Sequence, residues 1–411
     1  TRPGIYVCGA FSSPKDIPDS VAQASGAASK AAKAVASERG SLITSVEYPA
    51  EKPISGEARI GVFVCHCGIN IGGVVDVPSV VEYVRGLPNV VYAEHNLYTC
   101  SQDTQERIKE KIVEHNLNRV VVASCTPRTH EPLFRATLQE AGLNPYLFEM
   151  ANIREQCSWV HMHEPEKATE KAKSLVRMAV AKAGLIQPLV KPKVEVTPVA
   201  LVIGGGLSGM TAAIEIAEQG YGVHLVEREK ELGGNLLKIR YLLDGSNPRQ
   251  KLKDLVARVD GNEKIKVHLG TRVEEVHGYV GNFEATLLSE AGEDIVRHGV
   301  VILATGGVEY TPSDYLYGVD ENVMTQLELE EKLAEGQIKP NNVVMIQCVG
   351  FRCEERPNCS RICCSNAVKN ALKVKEINPE AEVYILYKDM RTYGFKESYY
   401  REAAEKGVVF I

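Results

Sequence analysis

Val199-Ala200-Leu201-Val202-Ile203-Gly204-Gly205-Gly206-Leu207-Ser208-Gly209-Met210 is the stretch from which the fold can be read. Its opening aliphatic run has the pattern of a buried strand. It passes directly into G-x-G-x-x-G, and residues 210–219 continue as a helix. A second strand, Val223-His224-Leu225-Val226, ends on Glu227. In this order each glycine has a task. The first makes the tight turn, the second lets the backbone approach a pyrophosphate, and the third lets helix and strand pack closely. The helix N-terminus offers free N–H groups and the positive end of its dipole to phosphates. Glu227 can accept hydrogen bonds from a ribose. A glycine-rich turn without a ligand is the plainer alternative, and strand, helix, second strand and acid in sequence outweigh it.

The residues that follow point to FAD. Glu227 leads into Arg228-Glu229-Lys230-Glu231-Leu232-Gly233-Gly234-Asn235, an acid, a charged loop and a Gly-Gly of the kind found at FAD sites in two-dinucleotide flavoproteins. Val300-Val301-Ile302-Leu303-Ala304-Thr305-Gly306-Gly307 has the form of the strand and small-residue turn beside FAD, and Thr271-Arg272-Val273 that of the strand contacting the adenine. Near the start, Gly4-Ile5-Tyr6-Val7-Cys8-Gly9-Ala10 is similar to the closing strand of an FAD domain, followed by a helix over residues 20–37. The expected FAD contacts are therefore Gly204, Gly206, Leu207, Ser208, Gly209, Glu227, Arg228, Gly233, Gly234, Asn235, Val273, Ala304, Thr305 and Gly306, with Cys8, Gly9 and Ala10. A closing segment ahead of everything else predicts two flavoprotein modules in tandem, with this chain an internal piece spanning their junction.

A second pattern lies between residues 59 and 157. Strand-like runs end at, or shortly before, Cys65-His66-Cys67, Cys100, Cys125 and Cys157, with amphipathic charged segments between them. Alternating strand and helix predicts a mostly parallel sheet, whose ligands gather outside the carboxyl ends of the strands. Up to five thiols, Cys65, Cys67, Cys100, Cys125 and Cys157, are thus expected on one edge. A further cluster follows the strand Asn342-Val343-Val344-Met345-Ile346-Gln347: Cys348, Cys353, Cys359, Cys363 and Cys364. These thiols stand where a nicotinamide domain would carry its glycine-rich turn. Close cysteine spacing without histidine suits an iron–sulfur cluster. Zinc accepts four cysteines too, and Cys348 with Cys353 makes a C-x-x-x-x-C pair open to dithiol chemistry. His66, His130 and His161 read as supporting or surface groups, Trp159 as core, and Cys8 as a small packed residue near flavin.

Composition narrows the field. The chain has 411 residues, 11 cysteines and a net charge of −6. An odd cysteine count beside a dinucleotide motif argues against a secreted disulfide scaffold. The acidic balance gives no basic field for nucleic acid. No apolar stretch is long enough for a membrane helix and no secretory signal is evident, so a cytoplasmic location is expected. The proline-bearing stretches near residues 41–58 and 188–198 read as linkers. They divide the chain into a closing FAD segment (1–50), an α/β domain with the first group of thiols (51–196), an FAD-binding domain (197–340) and an incomplete, degenerate nucleotide domain with the second group (341–411).

Several of these stretches together resemble one family, the A-type flavin and iron–sulfur subunit (HdrA-like) of heterodisulfide reductase, found in methanogens and many anaerobic bacteria. They are Val64-Cys65-His66-Cys67-Gly68-Ile69-Asn70-Ile71, Asn152-Ile153-Arg154-Glu155-Gln156-Cys157-Ser158-Trp159-Val160-His161, the G-x-G-x-x-G with Gly233-Gly234, Cys359-Ser360-Arg361-Ile362-Cys363-Cys364, and Pro14-Lys15-Asp16-Ile17-Pro18-Asp19-Ser20-Val21. The resemblance runs over nearly the whole chain. It implies a thioredoxin-reductase-like, Rossmann-type FAD fold preceded by a parallel α/β iron–sulfur domain. It also implies FAD and two [4Fe–4S] clusters, and a role in passing, in some complexes bifurcating, electrons between them. The partners it implies are B- and C-type heterodisulfide reductase subunits, an electron-input subunit of hydrogenase or formate dehydrogenase type, and ferredoxin, around a homodimeric core. For the first cluster Cys65, Cys67, Cys100 and Cys125 are the expected ligands, with Cys157 a fifth candidate; for the second, Cys348, Cys359, Cys363 and Cys364. The chain departs from the family where a ferredoxin insert usually stands, since Gly281-Asn282-Phe283-Glu284-Ala285-Thr286 runs straight on towards the Ala-Thr-Gly strand. Two other functions stay open on sequence: an FAD-dependent thiol–disulfide oxidoreductase using Cys348 and Cys353, and a zinc-stabilised scaffold without catalysis.

Overall fold

The computed structural model describes residues 2–54 and 56–411. The chain forms two compact units: Ile43–Lys193, and the flanks, which join the stretch up to Leu42 to Val194–Ile411. The first helix, α1 (Ile17–Ala34), belongs to the flanking unit.

The Ile43–Lys193 unit alternates β1 (Ile60–Cys65), α2 (Val77–Arg85), β2 (Val90–Asn96), α3 (Gln102–Glu114), β3 (Arg119–Ser124), α4 (Pro127–Glu140), β4 (Phe148–Asn152) and α5 (Pro165–Ala183). The strands lie in the order β2-β1-β3-β4, and every pairing is parallel. Parallel strands need crossover connections, and the helices supply them. Strand β1 is buried throughout because both faces of the sheet are covered. Ile60, Val62 and Val64 pack with residues of α2 and α5, whereas Phe63 packs with Ile108, Phe134 and Leu138 of α3 and α4. A buried side chain of this size contributes about 1.5–3 kcal/mol. Helix starts are written locally. Asp76 accepts from Ser79 N at 3.1 Å, and Thr126 accepts from Arg128 N just ahead of Pro127.

In the flanking unit, β5 (Val199–Ile203), α6 (Leu207–Ala217), β6 (Gly222–Val226), α7 (Pro248–Asp260) and β7 (Ile265–His268) are followed by β8 (Arg272–Tyr279), β9 (Asn282–Ser289), β10 (Gly292–His298) and β11 (Val300–Leu303). Strands β11-β5-β6-β7 form a parallel sheet, and β8 to β10 an antiparallel one. Then come α8 (Gln326–Ala334), β12 (Asn342–Ile346), α9 (Cys363–Ile377), β13 (Glu382–Leu386), α10 (Glu397–Glu405) and β14 (Val408–Phe410), with β12-β13-β14 parallel. The architecture is thus the expected one, a Rossmann-type nucleotide fold together with a parallel α/β unit.

One local expectation is corrected. Residues 4–10 do not form a strand: Gly9–Phe11 is a turn of 3-10 helix, and Ile5 and Phe11 are exposed. Among the described residues no sheet pairs with residues 4–8, which leaves them without the ladder a strand needs. Arg272 and Val273 open β8, a strand of the antiparallel sheet.

Helix α9, which carries Cys363 and Cys364 at its start, is fastened to the nucleotide half by a buried ion pair. Lys369 Nζ donates to Glu330 Oε2 at 2.6 Å, with the two side chains 7% and 1% exposed. Glu330 Oε1 accepts from Arg240 N at 2.6 Å, and Lys369 also donates to the Tyr241 carbonyl at 3.2 Å. Removing one partner leaves the other charge buried and unpaired, which costs about 3–5 kcal/mol. Lys369→Met is therefore expected to lower unfolding stability by about that amount in denaturant titrations, and Lys369→Met with Glu330→Leu to recover most of it.

Candidate functional site

The glycine-rich turn between β5 and α6 is shaped by contacts that leave no room for side chains except at one place. A Cβ on Gly204 (φ +111°) would lie 2.3 Å from Ala304 O, and on Gly209 1.7 Å from Gly204 O. On Gly205 it would meet Leu232 and Glu227, and on Gly234 the Gly206 Cα at 3.2 Å. A Cβ on Gly206 would meet nothing within 4 Å, so this backbone faces open space. That is the clearance a pyrophosphate requires. Leu207 and Ser208 begin α6, both exposed, so the free N–H groups of the first turn open on the same space.

Glu227 closes the turn. Its carboxylate is buried, with Oε2 accepting from Gly205 N at 2.6 Å and Oε1 from Glu229 N at 2.9 Å. Each oxygen keeps a lone pair for a ribose hydroxyl. Gly233 N donates to Gly205 O at 2.9 Å, and Asn235 Nδ2 to Gly307 O at 3.0 Å. Ala304 N donates to Ile203 O at 2.8 Å, placing Thr305 and Gly306 beside the glycine turn. Arg228 is exposed and pairs with Glu229, while Val273 lies in β8. No hydrogen bond joins Cys8, Gly9 or Ala10 to this turn among the described residues. Gly9 binds Gln23, Ser12 and Lys15 of its own segment.

Four of the five candidate thiols of the inner unit come together. Cys65 ends β1, and the parallel register sets it opposite Asn96 at the end of β2; Cys125 follows β3 directly. Thr99 N donates to Cys65 Sγ at 3.4 Å. Burial pushes the Cys100 and Cys125 thiols upward, and the charges of Cys65 and Cys67 push in the same direction, so the four sulfurs share one neighbourhood. Thr99 Oγ1 and Ser124 Oγ, buried and unbonded beside them, carry hydroxyls able to donate to sulfur, whereas Asn96 Oδ1 and Glu155 Oε2, also buried and unbonded, are acceptors. Among the described residues no three cysteine, histidine or carboxylate side chains stand close enough to hold a metal ion. Four thiols at one sheet edge are the donor set that a sulfur-bearing cluster takes.

Cys157 is the exception. It follows β4 by a π-type turn, Arg154–Ser158, which rotates its sulfur into the core. There it is fully buried and donates to Ala168 O at 3.0 Å, and burial raises its pKa. Trp159, expected in the core, is 47% exposed instead and lies against Arg154, with 4.7 Å between the guanidinium carbon and the ring. The sequence pattern did not single out Arg154, whose Nη1 donates to Cys67 Sγ at 3.7 Å. His66 faces His95 at 3.1 Å and His161 faces Glu164.

In the second cluster Cys348 begins the loop after β12, and Cys363 and Cys364 begin α9. The neighbouring Cys364 thiol holds Cys363 below the ordinary thiol range, and the same neighbour together with burial pushes Cys364 up. Cys359 Sγ accepts from Arg361 N at 3.3 Å and lines a cavity of about 410 Å³ with Asp16, Asn358, Arg361, Arg391 and Tyr393. Gln347, Ser365 and Thr392 keep buried side-chain atoms without partners near this loop. Cys353 is exposed. Loop 347–362 stands between β12 and α9 as the glycine turn stands between β5 and α6.

Comparison with known proteins matches residues 199–346 to the pyridine nucleotide-disulphide oxidoreductase family. Across most of the chain the similarity is to A-type subunits of heterodisulfide reductases. An A-type iron-sulfur subunit of the CoB--CoM heterodisulfide reductase of Methanopyrus kandleri is 37% identical over 456 residues, covering 86% of this chain and 68% of that protein. The A-type subunit of the H(2):CoB-CoM heterodisulfide,ferredoxin reductase of Methanothermobacter marburgensis is 38% identical over 461 residues, covering 88% and 69%. Both alignments are longer than this chain, so those proteins carry residues it lacks. The thioredoxin reductase of T. acidophilum is 16% identical over 52% of this chain and 62% of that one, with a TM-score of 0.34, too slight a likeness to argue from.

The contrast in burial has a direct test. In metal-free, folded protein, alkylation followed by mass spectrometry is expected to modify Cys353 first, and Cys157 only on global unfolding. Labelling of Cys157 as fast as Cys353 would contradict its place in the core.

Proposed function

This chain belongs to the family of A-type heterodisulfide reductase subunits, and on that premise we propose that it is the flavin and iron–sulfur subunit of such a complex, relaying electrons between FAD and cysteine-bound clusters. The observation that carries this is the pairing, inside one unit, of a cleared glycine turn after β5 with a thiol-bearing turn at the matching place after β12. Thiols at that second place leave no glycine cradle for a nicotinamide pyrophosphate. FAD held there would supply electron exchange singly or in pairs, and [4Fe–4S] clusters held by the thiols would supply one-electron transfer.

The protein's own residues bind and orient. Gly206 gives clearance to the pyrophosphate, and the first turn of α6 directs its N–H groups there. Glu227, already held by Gly205 N and Glu229 N, turns its remaining lone pairs to the ribose. Gly233, Gly234 and Asn235 lock the opposite wall of the turn, and Ala304, Thr305 and Gly306 carry the flavin end. Cys65, Cys67, Cys100 and Cys125 hold the first cluster, with Cys157 anchoring the turn below it. Cys348, Cys359, Cys363 and Cys364 hold the second, with Cys353 spare. The partners proposed are B- and C-type subunits, an electron-input subunit of hydrogenase or formate dehydrogenase type, and ferredoxin, around a homodimeric core. No helix among the described residues is long and apolar enough to cross a membrane; cytoplasmic residence is proposed.

Two losses should separate. Gly206→Val, whose side chain enters open space, is expected to fold normally yet lose flavin, read by absorbance after gel filtration. Cys125→Ser and Cys363→Ser should each lose about four irons per chain on anaerobic metal analysis, the content of one cubane. Full flavin in the first variant, or full iron in both of the others, would refute the assignment. A dithiol mechanism predicts instead that Cys353→Ser abolishes turnover at full iron.

A further inference from the structure

The turn after β4 brings the Arg154–Glu155 ion pair to the first thiol site, with the guanidinium on Cys67. Asn152 Oδ1 accepts from Arg154 N at 3.2 Å and from Glu155 N at 3.0 Å, which fixes the start of the turn. Ile153, Cys157 and Ser158 are fully buried, and Ser158 Oγ donates to Asn70 O at 2.7 Å, which fixes its underside. What remains free to face the sulfurs is the Arg154 side chain. Its guanidinium is held on two sides. Nη2 and Nε donate to Glu155 Oε1 at 2.7 and 3.2 Å, and the Trp159 ring lies 4.7 Å from its central carbon. The remaining nitrogen, Nη1, donates to Cys67 Sγ at 3.7 Å. The side chain is only 22% exposed, so solvent screens it little.

We propose that Arg154 tunes the iron–sulfur centre of Cys65, Cys67, Cys100 and Cys125, its guanidinium donating to Cys67 Sγ and raising the centre's reduction potential. This rests on the assignment of that centre under the proposed function. Four thiolates and a cubane core in its oxidised form carry a charge of about −2. Reduction adds one electron, supplied by reduced flavin in the relay, and takes the assembly to about −3. No bond is made or broken and no proton need move. A fixed cation stabilises the more negative form more strongly, and a hydrogen bond to a ligand sulfur acts in the same direction. Arg154 is thus a positioning residue: it binds neither flavin nor iron, and acts through Cys67.

The test is an anaerobic redox titration of the full chain followed by electron paramagnetic resonance, in unsubstituted protein, Arg154→Gln and Arg154→Lys. The first centre is the signal that disappears in Cys125→Ser. Arg154→Gln is expected to make one-electron reduction of this centre about tenfold less favourable, the scale of one charged hydrogen bond, equivalent to a downward shift of about 59 mV. Flavin content and the second centre's potential should not move. Arg154→Lys, which keeps the charge without the planar fork, should fall between. An unshifted midpoint in Arg154→Gln overturns the proposal. So does loss of this centre's iron from both Arg154 variants, because Arg154 would then be needed for assembly rather than tuning. If unsubstituted protein gives no signal that depends on Cys125, the assignment of the centre itself fails, an outcome the iron analysis identifies separately.

Discussion

A parallel sheet has a chemical consequence: all its strands finish at the same edge. In the inner unit β2, β1, β3 and β4 run in one direction, so residues at strand ends, far apart in sequence, arrive side by side. Cys65, Cys100 and Cys125 depend on that constraint. No local pairing brings them together; the register between Cys65 and Asn96, and the helices that return the chain to the starting edge, do so. Burial on both faces makes the register costly to slip, because a shift of one residue would exchange Phe63 with its neighbours between two filled cores. The stiffness of the sheet is therefore the stiffness of the thiol site.

The flanking unit uses the same strand–turn–helix plan twice for different ends. After β5 the turn consists of glycines because neighbouring atoms press on the Cβ positions of Gly204, Gly205 and Gly209, leaving clearance only at Gly206. After β12 the loop is longer, begins on Cys348 in the left-handed region, and delivers two adjacent cysteines to the start of α9. The buried pair of Glu330 with Lys369 ties α9 back to Arg240 and Tyr241, so the thiol-bearing helix is held against the nucleotide half by charge as well as by packing. Buried ion pairs add little net stability, but they tolerate few alternative arrangements.

The amino-acid sequence determined the fold class, the glycine turn with Glu227, and the two thiol neighbourhoods, because strand periodicity and motif order are local properties that survive without knowledge of contacts. It left Cys157 as a fifth candidate ligand, since distance along the chain does not say which way a turn rotates a side chain. It gave Gly4 to Ala10 a strand, where among the described residues the chain pairs with no sheet and turns into a 3-10 helix at Gly9. It passed over Arg154, one of many charged residues, because nothing in the sequence measures a guanidinium against a sulfur. Those matters were decided only in three dimensions. The π-type turn sends Cys157 into the core and Arg154 towards Cys67 because Ile153 and Ser158 are buried beneath it, and that burial exists only once β4, α5 and the loop at Asn70 have packed together.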